Sequence, residues 1–125
     1  MKRDLELVRK LLIYLEEKQD PAHRQSADIQ IEGYSHAEIG YHLRLLFQAG
    51  FIHGEAIRSS SSERLIDVIP FQLTWDAHEF LDASRNDKVW KKVARQAGQN
   101  IGSIPFEILK ALLLAEARRQ VGLES

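Results

Sequence analysis

The chain has 125 residues, enough for one domain with a single real core. Its 44% hydrophobic and 28% charged residues are ordinary for a soluble globular protein, and a formal net charge of −1 supplies no global field to draw in nucleic acid. Cysteine is absent, which excludes a disulfide framework and a thiolate centre.

The start, MKRDLELVRK, runs straight into a charged amphipathic pattern with no apolar leader, and no later run is long enough to span a bilayer. A cytoplasmic protein is the expectation. From Asp4 to Lys18 the spacing predicts a first helix, with Leu5, Val8, Leu12 and Leu15 on one face and Leu11 widening it. Glu6, Arg9, Lys10, Glu16 and Glu17 are expected to stay in water. Asp20-Pro21 ends the helix, because a residue before proline is pushed out of the α region. Residues 21–28 read as polar loop. Asp28 to Glu32 alternates polar and apolar side chains and predicts a short strand, and Gly33-Tyr34 turns into the next element.

That element, Ser35 to Gln48, is the best-specified in the chain. Ser35 is placed to cap a helix and Glu38, three residues on, to complete a capping box. Ile39, Leu43, Leu46 and Phe47 share one apolar face, and Gly50 sits where a left-handed residue would end the helix. Ala37, Tyr41, Arg44 and Gln48 share the opposite face. Alanine, arginine and glutamine can each meet base edges in a major groove, and a tyrosine can reach a phosphate. The competing account is a solvated outer face, and Leu45 beside Tyr41 favours a protein contact over a nucleic-acid one.

Phe51 to Arg58 and Leu65 to Leu73 read as two strands of a hairpin, with Ser59 to Ser62 as a polar tip flanked by Arg58 and Arg64. Those arginines could rest on phosphates, although Glu55, Glu63 and Asp67 offset their charge. Pro70 cannot donate to a ladder, so its strand should be an edge there. Thr74 predicts the cap of a following helix that turns Ala77, Phe80, Leu81 and Ser84 inward, with a break at Asn86-Asp87. In Lys88 to Ala97 the apolar face is Val89, Trp90, Val93, Ala94 and Ala97. Lys88, Lys91, Lys92 and Arg95 fall at i, i+3, i+4 and i+7, a basic stripe able to grip phosphates or simply to be solvated. Gly98 stops this helix, residues 100–103 form a loop, and Pro105 suits the first turn of a last helix. There Phe106, Leu109, Leu112, Leu113 and Ala117, extended by Ile108, form a face apolar enough to predict burial against the first helix or a homodimer.

The five histidines carry no metal or nucleophile pattern. His78-Glu79 begins like a zinc-protease helix, but Asp82 holds the position of the second ligand. His42 and His53 lack closed ligand spacing, and His42 reads as a residue at the core margin. Neither a glycine-rich phosphate loop nor a nucleophile elbow occurs, so a non-enzymatic protein with no cofactor and no metal is expected.

The strings MKRDLELVRKLLIYLEE, IEGYSHAEIGYHLRLLFQAGFI, LTWDAHEFLDASRNDKVWKKV and GSIPFEILKALL together resemble an uncharacterised domain-of-unknown-function family, number 2513, found in bacteria and their phages. That resemblance covers nearly the whole chain and supplies no catalytic residue. A looser one joins the chain to winged-helix regulators, whose recognition helix and wing start look like V-S-R-H-L-R-R-L-E-E-A-G-L-V where Ile39 to Ile52 reads I-G-Y-H-L-R-L-L-F-Q-A-G-F-I. Gly40 and Tyr41 stand in place of a Ser-Arg pair, and Leu45 and Phe47 in place of polar residues, so core positions match better than DNA-facing ones. The helix that should precede the recognition helix is also missing from the pattern: either it is reduced to a turn around residues 22–27, or the short strand has replaced it.

The resulting expectation is an α+β, winged-helix-like single domain over residues 1–125: helix, short strand, core helix, two-stranded β-wing and three C-terminal helices. One functional expectation is a DNA-binding transcriptional regulator. Ser35, His36, Tyr41, Arg44 and Gln48 would meet double-stranded DNA in the groove, Arg58 and Arg64 would contact it from the wing, and Lys88, Lys91, Lys92 and Arg95 would hold the backbone. The other is a protein-interaction module on the same fold, motivated by the near-zero net charge, Tyr41, Leu45 and the apolar last helix.

Overall fold

The computed structural model describes residues 1–17, 28–97 and 104–122. In chain order it contains α1 (Leu5–Glu17), α2 (His36–Gln48), the antiparallel strands β1 (Ile52–Arg58) and β2 (Leu65–Leu73), then α3 (Trp75–Ser84), α4 (Asp87–Ala97) and α5 (Phe106–Gln120). This is an α+β, winged-helix-like arrangement of five helices and a two-stranded sheet. The expected helix end at Lys18, the break at Asp20-Pro21, the loop at 21–28 as far as residue 27, the turn around 22–27, the Gly98 stop and the loop at 100–103 lie outside the described residues.

α1 is the hub. Leu5, Leu7, Val8, Leu11, Leu12 and Leu15 are all buried, a stripe wide enough to meet α2, α3 and β2 together. Asp4 caps it, its Oδ1 accepting from the Glu6 and Leu7 amides at 2.9 and 3.4 Å. α2 begins as its sequence requires. Ser35 Oγ accepts from the Glu38 amide at 3.1 Å, and the Ser35 amide donates to Glu38 Oε1 at 3.0 Å, closing the capping box. At the other end Gly50 has φ 76°, where a side chain would be strained. The Phe51 amide reaches back to the Leu46 carbonyl and the Gly50 amide to that of Phe47, the paired bonds of a Schellman stop.

The hairpin continues from that stop. Its register skips Phe71 and Ile66, each the extra residue of an irregular step, and these are the two large apolar side chains of the sheet left exposed. Gly54 lies opposite Pro70, so close that a Cβ there would stand 2.5 Å from the Ile69 carbonyl oxygen. Thr74 ties the end of the hairpin back to the end of α2: its amide donates to the Phe51 carbonyl, its hydroxyl donates to that of Gly50 at 2.6 Å, and its Oγ1 caps α3.

Two expectations are corrected. Residues 28–32 form no strand; a lone five-residue segment has no ladder partner beside a two-stranded sheet, and its alternation reflects Ile29 buried in the core ahead of the turn that closes from Ile31 to Tyr34. Arg9 is not in water. It is 7% exposed, with Nε donating to the Ser84 carbonyl at 2.7 Å and Nη2 to the Arg85 carbonyl at 3.1 Å and to Asp87 at 2.7 Å. It thereby satisfies carbonyls at the end of α3 that no helical amide can reach. Its guanidinium also lies 4.9 Å from the Trp90 ring, whose Nε1 donates to Glu6. One side chain of α1 thus pins the α3–α4 junction. Pro105 stands at the cap of α5, one position before the first helical residue.

Candidate functional site

The outward face of α2 has the composition its period implies. Ser35, His36, Ala37 and Gln48 are exposed, and Tyr41 and Arg44 are half-buried. Ser35, however, is consumed by the cap. Arg44 lies 5.9 Å from the Tyr41 ring and donates from Nη1 to the Ile66 carbonyl on β2 at 3.1 Å. The helix face and the hairpin therefore form one continuous surface with Arg44 as the bridge.

At the hairpin tip Arg58 donates to the Glu63 carbonyl at 2.9 Å, the Ser59 amide to that of Arg64, and the Ser61 and Arg64 amides to serine hydroxyls. The tip is thus closed by its own hydrogen bonds, and Arg64 is exposed beside it. Glu55, Glu63 and Asp67 share the hairpin with those two arginines, so this surface is close to neutral.

The basic stripe of α4 lies elsewhere. Val89, Trp90 and Val93 face inward, and Lys88, Lys91, Lys92 and Arg95 line a groove of about 710 Å³ that α5 closes with Glu116, Arg119 and Gln120. The groove shares no lining residue with the α2 face or the hairpin. Glu116, only 2% exposed, is bound by Lys92 Nζ at 3.1 Å on Oε1, by Gln120 on the same oxygen, and by Arg119 at 2.9 Å from Oε2 as an ion pair. Burial pushes its carboxyl up, but the hydrogen bonds from Lys92 and Gln120 and the neighbouring cations together hold it below the ordinary glutamate value. The sites proposed from sequence thus fall on two surfaces, α2 with the hairpin and α4 with α5.

Residues 2–103 match a family described as "Hypothetical protein (DUF2513)". The chain belongs to this family. It is also 39% identical over 93 residues to an "Uncharacterized protein" of Haemophilus influenzae, an alignment covering 74% of this chain and 75% of that protein. No solved structure matches.

The DUF2513 chain also holds polar contacts that its sequence gave no sign of. His42, read as marginal, is 1% exposed. Its Nε2 accepts from the Asp4 amide at 2.8 Å, which leaves Nδ1 as the donor to the Glu38 carbonyl at 2.8 Å. Tyr34 completes the cluster by donating to Asp4 at 3.2 Å; burial and then the Asp4 charge push its hydroxyl up to about 12. Nε2 of His42 therefore ties the head of α1 to α2, while Nδ1 is satisfied within α2 itself. Among the described residues, no group of three or more His, Asp or Glu side chains is placed to hold a metal ion, and no helix is long and apolar enough to cross a membrane.

A cleft of about 810 Å³ opens between the ends of α1 and α2 and the flanks of α3 and α5. Its floor is aromatic: Phe51, Phe80 and Phe106 cluster in tilted and edge-on contacts with centroids 5.1 to 6.1 Å apart. Arg3 and Lys110 line it with Asp76, Glu79 and Glu107, so its charges are of mixed sign. α5 packs Leu109 and Leu113 inside and leaves Ile108 and Leu114 outside.

Proposed function

We propose that this DUF2513 protein is a cytoplasmic, non-enzymatic DNA-binding regulator of bacterial or phage origin that meets duplex DNA with the outer face of α2 and the adjoining hairpin. The observation carrying this reading is the Arg44 bridge: a helix with an exposed His36-Ala37-Gln48 face lies against a two-stranded ribbon, and one arginine joins them at 3.1 Å. A helix beside a ribbon is a shape that can enter a major groove while the ribbon rests on phosphates. On this reading Gln48 and Arg44 meet base edges, Tyr41 a phosphate, and Arg64 and Arg58 the flanking backbone. The test is fluorescence anisotropy of a labelled duplex at low salt. Arg44→Ala with Gln48→Ala is expected to weaken binding on the order of tenfold; binding equal to the unaltered protein's would remove the proposal.

The second reading, a protein-interaction module on the same fold, rests on exposed Ile66, Phe71 and especially Trp75, 78% exposed at the start of α3. Trp75→Ala would then abolish capture of a protein partner and leave DNA binding unchanged. A homodimer would use Ile108 and Leu114; a light-scattering mass of one chain at micromolar concentration excludes it.

A further inference from the structure

Among the described residues, the groove between α4 and α5 gathers an unusual number of cations on one concave surface. Its lining holds five cations, Lys88, Lys91, Lys92, Arg95 and Arg119, against the single carboxylate Glu116. The whole chain has 17 basic and 18 acidic residues, so every other surface taken together is acidic. Field lines from such a patch concentrate in its concavity.

The five cations are organised in two tiers. Glu116, buried at the floor, fixes Lys92 and Arg119 from opposite walls, one on each carboxylate oxygen. Among the described residues, Lys88, Lys91 and Arg95 have no carboxylate within ion-pair distance; the nearby Asp87 is bound by Arg9 at 2.7 Å and feels Lys91 only through its longer-range charge. All three are exposed. From Lys88 to Arg95 the helix advances about 10 Å. Successive phosphates of one strand rise about 3.4 Å along the duplex axis, so three of them span about 7 Å of it, within reach of three flexible side chains spread over that row. Half-buried Ala94, also in the lining, adds no bulk to the wall between them.

We infer that the α4–α5 groove is a second, separate seat for the phosphodiester backbone of nucleic acid, with Lys88, Lys91 and Arg95 as the gripping residues and Glu116 as the positioning residue that holds Lys92 and Arg119 in the walls. This rests on the reading that the partner is nucleic acid, but not on α2 being the element that reads it. The groove contributes affinity without sequence preference.

The test is a salt titration of duplex binding with the full chain and a labelled random-sequence duplex. Replacing Lys88, Lys91 and Arg95 by Gln should flatten the slope of log affinity against log salt by about 2.7, or about 0.9 for each lost phosphate contact. The charge-preserving set Lys88→Arg, Lys91→Arg, Arg95→Lys should keep the original slope, which separates lost charge from lost folding. Arg44→Ala with Gln48→Ala should weaken binding while changing the slope by no more than about one. A glutamine triple that binds with the original affinity and slope overturns the groove assignment and leaves the α2 reading standing. If the Arg44/Gln48 pair binds like the unaltered protein while the glutamine triple is weakened, the α2 reading falls and the groove stands. No duplex binding at low salt, including the case where the protein instead sediments with anionic lipid vesicles, overturns both.

Discussion

The α2–hairpin surface and the α4–α5 groove both present arginine or lysine on a helix face, yet they hold their charge in opposite ways. On the first, Arg44 and Arg58 are already donating to backbone carbonyls of the hairpin, and three carboxylates stand on the same ribbon. On the second, one buried carboxylate serves two cations and three more stand clear of any ion pair among the described residues. A guanidinium that already donates to its own fold meets a phosphate only with the N–H groups left over and in the orientation that bond sets, whereas a cation standing in water can reorient freely and gives up only hydration and counterions. The first surface is therefore built for shape and the second for charge.

The largest test of this division is to loosen the element that places α4. Arg9→Ala would strip the buried donors from the Ser84 and Arg85 carbonyls and the cover from Trp90. Orphaned buried acceptors together with lost packing predict a loss of about 3 kcal/mol, read as a lower urea midpoint at constant slope. If α4 is held independently of α1, the midpoint will barely move.

The converse perturbation strikes the hairpin alone. A Cβ at Gly54 would meet the Ile69 carbonyl oxygen at 2.5 Å and the Pro70 Cα at 3.2 Å, both backbone atoms, so the two strands must part. Gly54→Ala should cost about 2 kcal/mol and disturb the amide resonances of β1 and β2. On the division drawn above it lowers affinity for duplex and flattens the salt slope by less than the change of about 2.7 expected of the groove triple, since only Arg58 and Arg64 reach the backbone from the hairpin. A flattening as large as the groove triple's would mean that the hairpin, not the groove, supplies most of the phosphate contacts.

Much of the first surface was legible in the sequence, because what builds it is local. The Ser35–Glu38 box, the Gly50 stop, the Thr74 cap and the Ile39-Leu43-Leu46 face are each specified within a few residues, and each forms as its spacing implies. The hairpin limits were readable for the same reason, since the serines and flanking arginines mark the tip. What could not be read depends on distant partners. Arg9 occupies a polar position of α1, and only the carbonyls 75 and 76 residues away make burial favourable. His42 gains its role from the Asp4 amide, 38 residues away. Residues 28–32 alternate like a strand, but alternation says nothing about whether a ladder partner exists. The basic stripe of α4 was visible as a period, whereas its second wall, Glu116 and Arg119, belongs to another helix and emerged only when α5 was in place.

The smallest effect expected is in acid, where it compares the anchoring of the two surfaces directly. Glu38 is held below the ordinary glutamate value by its bond from the Ser35 amide, and Asp87 below the ordinary aspartate value by its hydrogen bond from Arg9 and that residue's charge. Each folded value lies below the unfolded one. The stability each contributes is therefore complete above the unfolded value of about 4, declines as pH falls through the folded value, and is gone below both. Urea midpoints measured downward from neutral pH should fall on entering the acid range, and both Glu38→Gln and Asp87→Asn should make that fall shallower. A glutamine can still accept the Ser35 amide, so the first variant keeps the α2 cap while removing its titration. The second removes the only carboxylate on Arg9 among the described residues but leaves the guanidinium its two carbonyls. If Asp87→Asn keeps the original acid limb while Glu38→Gln flattens it, the Arg9 clamp works through the carbonyls alone. Asp87 would then be a spectator at the head of α4, and its charge would stand free to oppose Lys91 in the groove.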